Sequence, residues 1–195
     1  MNKLFYGLLG LLLGIGLMYG ATTGWDWRQG EMSDSHTSKN IDAYFIEQMI
    51  PHHEDAIAMA DVALQKAEHQ EIKQLAEGIK TSQSREIEKM KKWHADWFNK
   101  HSSLITVASA HTTHKMQMGM MGDATDIERL ENAKPFDKAF IEEMILHHQM
   151  AIMMAEMLQI TTEREEMEAL AHDIIDAQTA EVEQMRTWYR SWYGM

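Results

Sequence analysis

The side chains best suited to chemistry here are methionine and histidine: 18 Met and 11 His in 195 residues, with no Cys. Thioether sulfur is a soft, neutral donor that favours Cu(I) and Ag(I) over hard cations. Imidazole suits copper in both its Cu(I) and Cu(II) states. The donors fall in three clusters. In residues 42–61, DAYFIEQMIPHHEDAIAMAD, Met49 and His53 stand four apart, which sets them side by side on a helix. His52 and Met59 are seven apart, two turns along one side. In residues 137–156, DKAFIEEMILHHQMAIMMAE, Met144 and His148 repeat the first pairing, and His147 and Met154 the second. Met150 adds a spacing of three from His147 and of four to Met154. The third cluster, HTTHKMQMGMMG, offers His111, His114, Met116, Met118, Met120 and Met121 among Gly and Thr. Such a run can wrap a three- or four-coordinate ion without a preformed scaffold.

A plainer reading stands beside each. Methionine at helical spacing is usually core filler, and that is the reading for Met90 and Met185, which sit among apolar residues. A lone histidine is more often a hydrogen-bonded structural residue, but a His-His pair that occurs twice is harder to dismiss. Adjacent helical residues diverge by roughly 100°, so one member of each pair can turn inward and bond Glu86 or Glu181. Gln83 with Glu86, and Gln178 with Glu181, lie three apart on the face read as buried, and a buried carboxylate needs a partner. A di-iron oxidase centre would need two Glu-x-x-His motifs plus two further glutamates. No such motif falls at corresponding positions of both repeats.

The elements that must carry these donors are duplicated. Phe45, Met49, His52, His53 and Met59 align without a gap on Phe140, Met144, His147, His148 and Met154. The register continues downstream, where QSREIEKMKKW lies over QTAEVEQMRTW. Apolar residues recur at three and four, so both elements of each copy read as helices. Each copy is then an αα-hairpin, and two hairpins bury their stripes together as an all-α, ferritin-like four-helix bundle. The first helix, over about 40–66, would be roughly 40 Å long. The hairpins occupy residues 40–98 and 135–195. A linker this long, residues 99–134, can run the length of the bundle and allows a crossover between the second and third helices. Pro51 removes a backbone donor in mid-helix and predicts a kink before His52. Thr162 with Glu165 reads as a capping box, and Pro135 as a first-turn proline. The Trp93/Trp97 and Trp188/Trp192 pairs read as caps on the core.

The formal net charge of -12 argues against a nucleic-acid surface and favours cations nearby. Residues 4–21, LFYGLLGLLLGIGLMYGA, follow Lys3 and carry no charge. Segment 1–21 therefore reads as a signal peptide or membrane anchor, short for a span of roughly 20 residues. Segment 22–39 reads as a flexible tether, with Trp25 and Trp27 suited to a membrane interface. Export explains the missing thiols: outside the cytosol a free Cys is a liability.

FIEQMIPHH and FIEEMILHH, each followed by Gln-x-x-Glu-x-x-x-Met-x-x-Trp, resemble an exported domain-of-unknown-function family of the ferritin-like group. With the Met-rich linker they are similar to its CopM-type copper-binding members. The resemblance spans both hairpins. It implies a periplasmic or secreted protein that binds Cu(I), with Ag(I) as a surrogate, and takes part in copper resistance. The family's Met and His-His positions fall on Met49, His52, His53, Met59, Met144, His147, His148 and Met154. The expectation is a copper sequestering or transfer protein, not an enzyme. Its partners are metal ions and a copper exporter or other periplasmic copper protein. It contacts no nucleic acid, and a membrane only through its N-terminal segment. A ferritin-like di-metal oxidase and a membrane-anchored helical scaffold are the alternatives.

Overall fold

The computed structural model describes residues 30–98 and 124–194, with side chains over 41–98 and 127–194. The N-terminal segment of the export reading and most of the linker, His111 to Met121 included, lie outside the described residues. The described residues form five helices: α1 (Gly30–Lys66), α2 (Gln70–Trp97), α3 (Ala124–Asn132), α4 (Phe136–Gln159) and α5 (Glu165–Tyr193). The bundle unit begins at Ile41. Among the described residues no helix is long and apolar enough to cross a membrane.

The three-and-four periodicity has become one buried stripe per helix. In α2 it is Ile72, Leu75, Ile79, Gln83, Ile87 and Met90, and in α5 it is Met167, Leu170, Ile174, Gln178, Val182 and Met185. The stripes meet in two apolar clusters. One joins Ala56, Met59 and Ala63 of α1 with Ile72 and Ile79 of α2, Phe140 and Met144 of α4, and Val182 and Met185 of α5. The other joins Phe45, Ile46 and Met49 with Ile87 and Met90, Ala155 and Leu158, and Met167 and Ile174. Each cluster thus takes the second half of α1 and α5 with the first half of α2 and α4, or the reverse. It follows that α1 runs parallel to α5, and α2 to α4, with the two pairs antiparallel. The path from α2 to α4 must pass from one end of the bundle to the other, as the long linker allows. Met90 and Met185 are buried core residues, as read.

The ends are interlocked by equivalent residues of the two repeats. Asp137, at the start of α4, accepts the backbone N–H groups of Glu68 (3.0 Å) and His69 (2.8 Å) and the His69 ring Nδ1 (2.6 Å). Asp42, in the same register of α1, accepts the Thr162 hydroxyl at 2.7 Å and forms an ion pair with the Arg164 guanidinium at 3.1 Å. The tryptophan pairs are stacked, with centroids 5.3 Å apart for Trp93/Trp97 and 5.6 Å for Trp188/Trp192. A cationic or imidazole side chain closes each: Arg164 lies 4.3 Å over Trp97, and the His69 ring stacks on Trp192 at 3.7 Å.

Four local expectations need correction. Helix α1 is described from Gly30 onward, so residues 30–39 are helical where a tether was expected; no proline or central glycine interrupts them. The linker holds a short helix, α3, whose Ile127 and Leu130 pack on the core. Thr162 does not form a capping box: Arg164 is the N-cap of α5 and has no side-chain cap. The Thr162 hydroxyl donates instead to Asp42, and its oxygen accepts the Arg164 N–H at 3.1 Å. Pro135 is the residue before α4, not within its first turn. At the far end Gly194 adopts φ 73°, the left-handed cap that glycine takes without a Cβ penalty, and its N–H reaches the Arg190 carbonyl.

Candidate metal centre

A polar layer separates the two apolar clusters. α1 contributes His52 and His53, α4 His147 and His148, α2 Gln83 and Glu86, and α5 Gln178 and Glu181. All four imidazoles and both glutamine side chains are buried. Helical geometry sends the two histidines of each pair in different directions. His53 Nε2 meets the Glu86 carboxylate at 2.7 Å, and His148 Nε2 meets Glu181 at 2.6 Å. His52 and His147 turn to each other, with ring centroids 3.7 Å apart and planes tilted by 41°. The reading that one histidine of each pair bonds a glutamate is therefore correct, and the structure identifies it as the second.

No ring nitrogen of His52 or His147 has a protein hydrogen-bond partner among the described residues, and Nδ1 of His53 and His148 is likewise free. Burial, followed by the neighbouring His53 and His148, pushes His52 down to about 3. Burial and the surrounding imidazoles hold His147 well below the usual histidine range. Both rings are therefore neutral at pH 7, with lone pairs available for coordination. Where Nε2–H of His53 or His148 donates to its glutamate, Nδ1 carries the ring's lone pair. A carboxylate behind an imidazole fixes its tautomer and raises its basicity, an arrangement typical of metal-ligating histidine.

The methionines are placed unequally. Met49 and Met144 are buried one turn before His53 and His148, in opposite apolar clusters. Met59 lies in the cluster of Met144, and half-buried Met154 packs against that of Met49. The seven-residue spacing thus carries Met59 and Met154 out of the histidine layer and beside the other hairpin's methionine. Met150 is half-buried. Among the described residues no three His, Asp or Glu side chains converge on a point that could hold an ion. Among these residues a centre would mix imidazole with thioether. Sequence reading missed Asp42, Asp137, His69 and Arg164; their shared register across the repeats was the available signal. It also passed over exposed Met153 and Met157.

Paired hairpins locked around a buried histidine layer define a duplicated helical bundle with soft donors. A family model described as "Domain of unknown function (DUF305)" matches residues 42–189, and the chain belongs to this family. It is similar to CopM, whose solved structures include Cu(I)-, Cu(II)- and Ag-bound forms. For the Cu(I)-bound form the identity is 47% and the TM-score 0.65, over 78% of this chain and 98% of that one. For the Cu(II)-bound form they are 49% and 0.66, over 78% and 97%. For the silver-soaked form they are 47% and 0.65, over 78% and 97%. No curated protein matches the chain.

Proposed function

We propose that this protein binds copper as cargo, outside the cytosol, and sequesters it or hands it on. The observation that carries this reading is the 47% identity, over almost the whole of CopM, to a structure holding Cu(I). The donor set supports it, because neutral imidazole and thioether suit Cu(I) and Ag(I). In this reading Met49 with His53, and Met144 with His148, are ligand pairs, with Glu86 and Glu181 orienting the imidazoles. The missing thiols and the uncharged N-terminal segment favour a periplasmic or secreted protein, attached to a membrane only through that segment. A copper exporter or another periplasmic copper protein would receive the metal. The role is copper resistance without catalysis.

Titration of the purified protein against a competing Cu(I) chelator tests the reading. Uptake of more than one Cu(I) per chain is expected, and no uptake against micromolar competitor overturns it. The orienting role has its own test. Glu86→Gln with Glu181→Gln keeps the shape but removes the carboxylates, and Cu(I) affinity is expected to fall by roughly 10- to 100-fold, the usual cost of losing such a support. Unchanged affinity would place the copper ligands elsewhere.

A further inference from the structure

The outer face of α4 carries an apolar stripe that the bundle does not use. Leu146, Met153, Met157 and Ile160 are 51%, 57%, 58% and 77% exposed, and Met150 between them is half-buried. Their numbers step by four, three, four and three, which keeps them in one line along the helix. The matching register of α1 holds Pro51, Asp55, Ala58, Val62 and Gln65. That helix carries no sulfur on this face, and its Val62 is buried where Met157 is exposed, so the exposed methionines do not repeat a packing role of the fold.

Met150, Met153 and Met157 are neighbours at spacings of three and four. The outer two are separated by roughly 10 Å along the axis, within reach of two extended methionine side chains converging on one ion. Methionine is unbranched and adapts to such convergence. Exposed Glu156 stands beside Met153 and Met157 and adds a negative field that draws cations. We propose that Met150, Met153 and Met157 form a surface site that takes one Cu(I) or Ag(I) ion through three thioethers, separate from the buried histidine layer. This rests on the reading of the protein as a copper carrier, and adds a place where the ion binds without the bundle opening. A neutral all-sulfur donor set selects the monovalent ions and leaves Cu(II) unbound. The stripe is roughly 21 Å long on a single helix, narrow for an interface of roughly 1,200–2,000 Å². Three of its five side chains are thioethers, where branched aliphatics would serve a partner helix as well.

The test is the triple variant Met150→Leu, Met153→Leu, Met157→Leu in the full chain. Leucine keeps the stripe apolar and the helix intact, so it removes sulfur alone. Native mass spectrometry with added silver nitrate is expected to show one Ag(I) fewer on the variant than on the wild type, with Cu(II) uptake equal in both. In the wild type, the ¹³C-methyl NMR signals of these three methionines are expected to move together during addition of Ag(I). Equal silver counts on variant and wild type overturn the site, as do methyl signals that stay fixed to saturation. So do signals that follow protein concentration instead of silver, which would make the stripe a contact between copies. If the wild type binds other Cu(I) ions normally in those cases, the copper-carrier reading stands. A wild type that takes up neither metal ends both.

Discussion

Acidifying the metal-free protein from pH 7 to about 4.5 will lower its unfolding free energy by about 2–3 kcal/mol through buried His52, with buried His147 adding a loss of the same sign. The His52→Leu/His147→Leu variant will lose most of that dependence. In the fold His52 is held down to about 3, and His147 well below its usual value, chiefly by burial. The unfolded chain protonates both near pH 6.5. Below that pH the unfolded state binds more protons than the native one, so acid favours unfolding. The His52 contribution is complete above about 6.5 and drains away towards about 3, at about 1.4 kcal/mol per pH unit. His52 over about two units gives the quoted loss, and His147 acts in the same direction. Asp42, whose carboxyl burial raises, acts in the opposite sense and offsets part of the loss near pH 4, in variant and wild type alike. Urea unfolding followed by circular dichroism at pH 7 and 4.5 measures the effect. An equally steep acid limb in the double variant would show that the paired rings are not its cause. At pH 7 the variant should be no less stable than the wild type, because four buried nitrogens without protein partners are removed.

Asp137→Ala is expected to destabilise the bundle by about 2–4 kcal/mol, because hydrogen bonds to a charged group contribute roughly 1.5–3 kcal/mol and several are lost together. Its carboxylate is buried and accepts two backbone N–H groups and an imidazole from the α1–α2 turn. Alanine leaves those donors behind and unhooks the start of one hairpin from the turn of the other. Asp42→Ala removes the equivalent hook. There the lost partners are the side chains of Thr162 and Arg164, which are free to turn to water, so about 1–3 kcal/mol is expected. Chemical denaturation of the two variants gives the ranking. The interlock account fails if Asp137→Ala costs less than about 1 kcal/mol or ranks below Asp42→Ala.

Much of this architecture was legible because duplication and helical period are local properties. Phe45 over Phe140 and Met49 over Met144 announce the repeat, and spacings of three and four announce helices. The long linker already allowed the crossover. Short features without period were harder. α3 contributes only Ile127 and Leu130 to the core, and the extension of α1 back to Gly30 has no apolar stripe to mark it. Thr162 and Glu165 satisfied a capping pattern, yet the hydroxyl found a better acceptor in Asp42, distant in sequence and adjacent in space.

The order of residues alone determined that two histidine pairs would sit in equivalent places on two helices, each within a helix length of a Gln-x-x-Glu. It determined the soft donor chemistry as well, since that resides in the side chains themselves. Only the packed bundle decided which imidazole of each pair meets the glutamate and which meets its counterpart. Neighbouring residues on a helix point roughly 100° apart, and no local spacing says which direction another hairpin will fill. The same holds for the sulfurs. Met49 and Met144 went into the interior, while Met153 and Met157 stayed in the open, because the faces of α4 become inside and outside only when three other helices close around one of them.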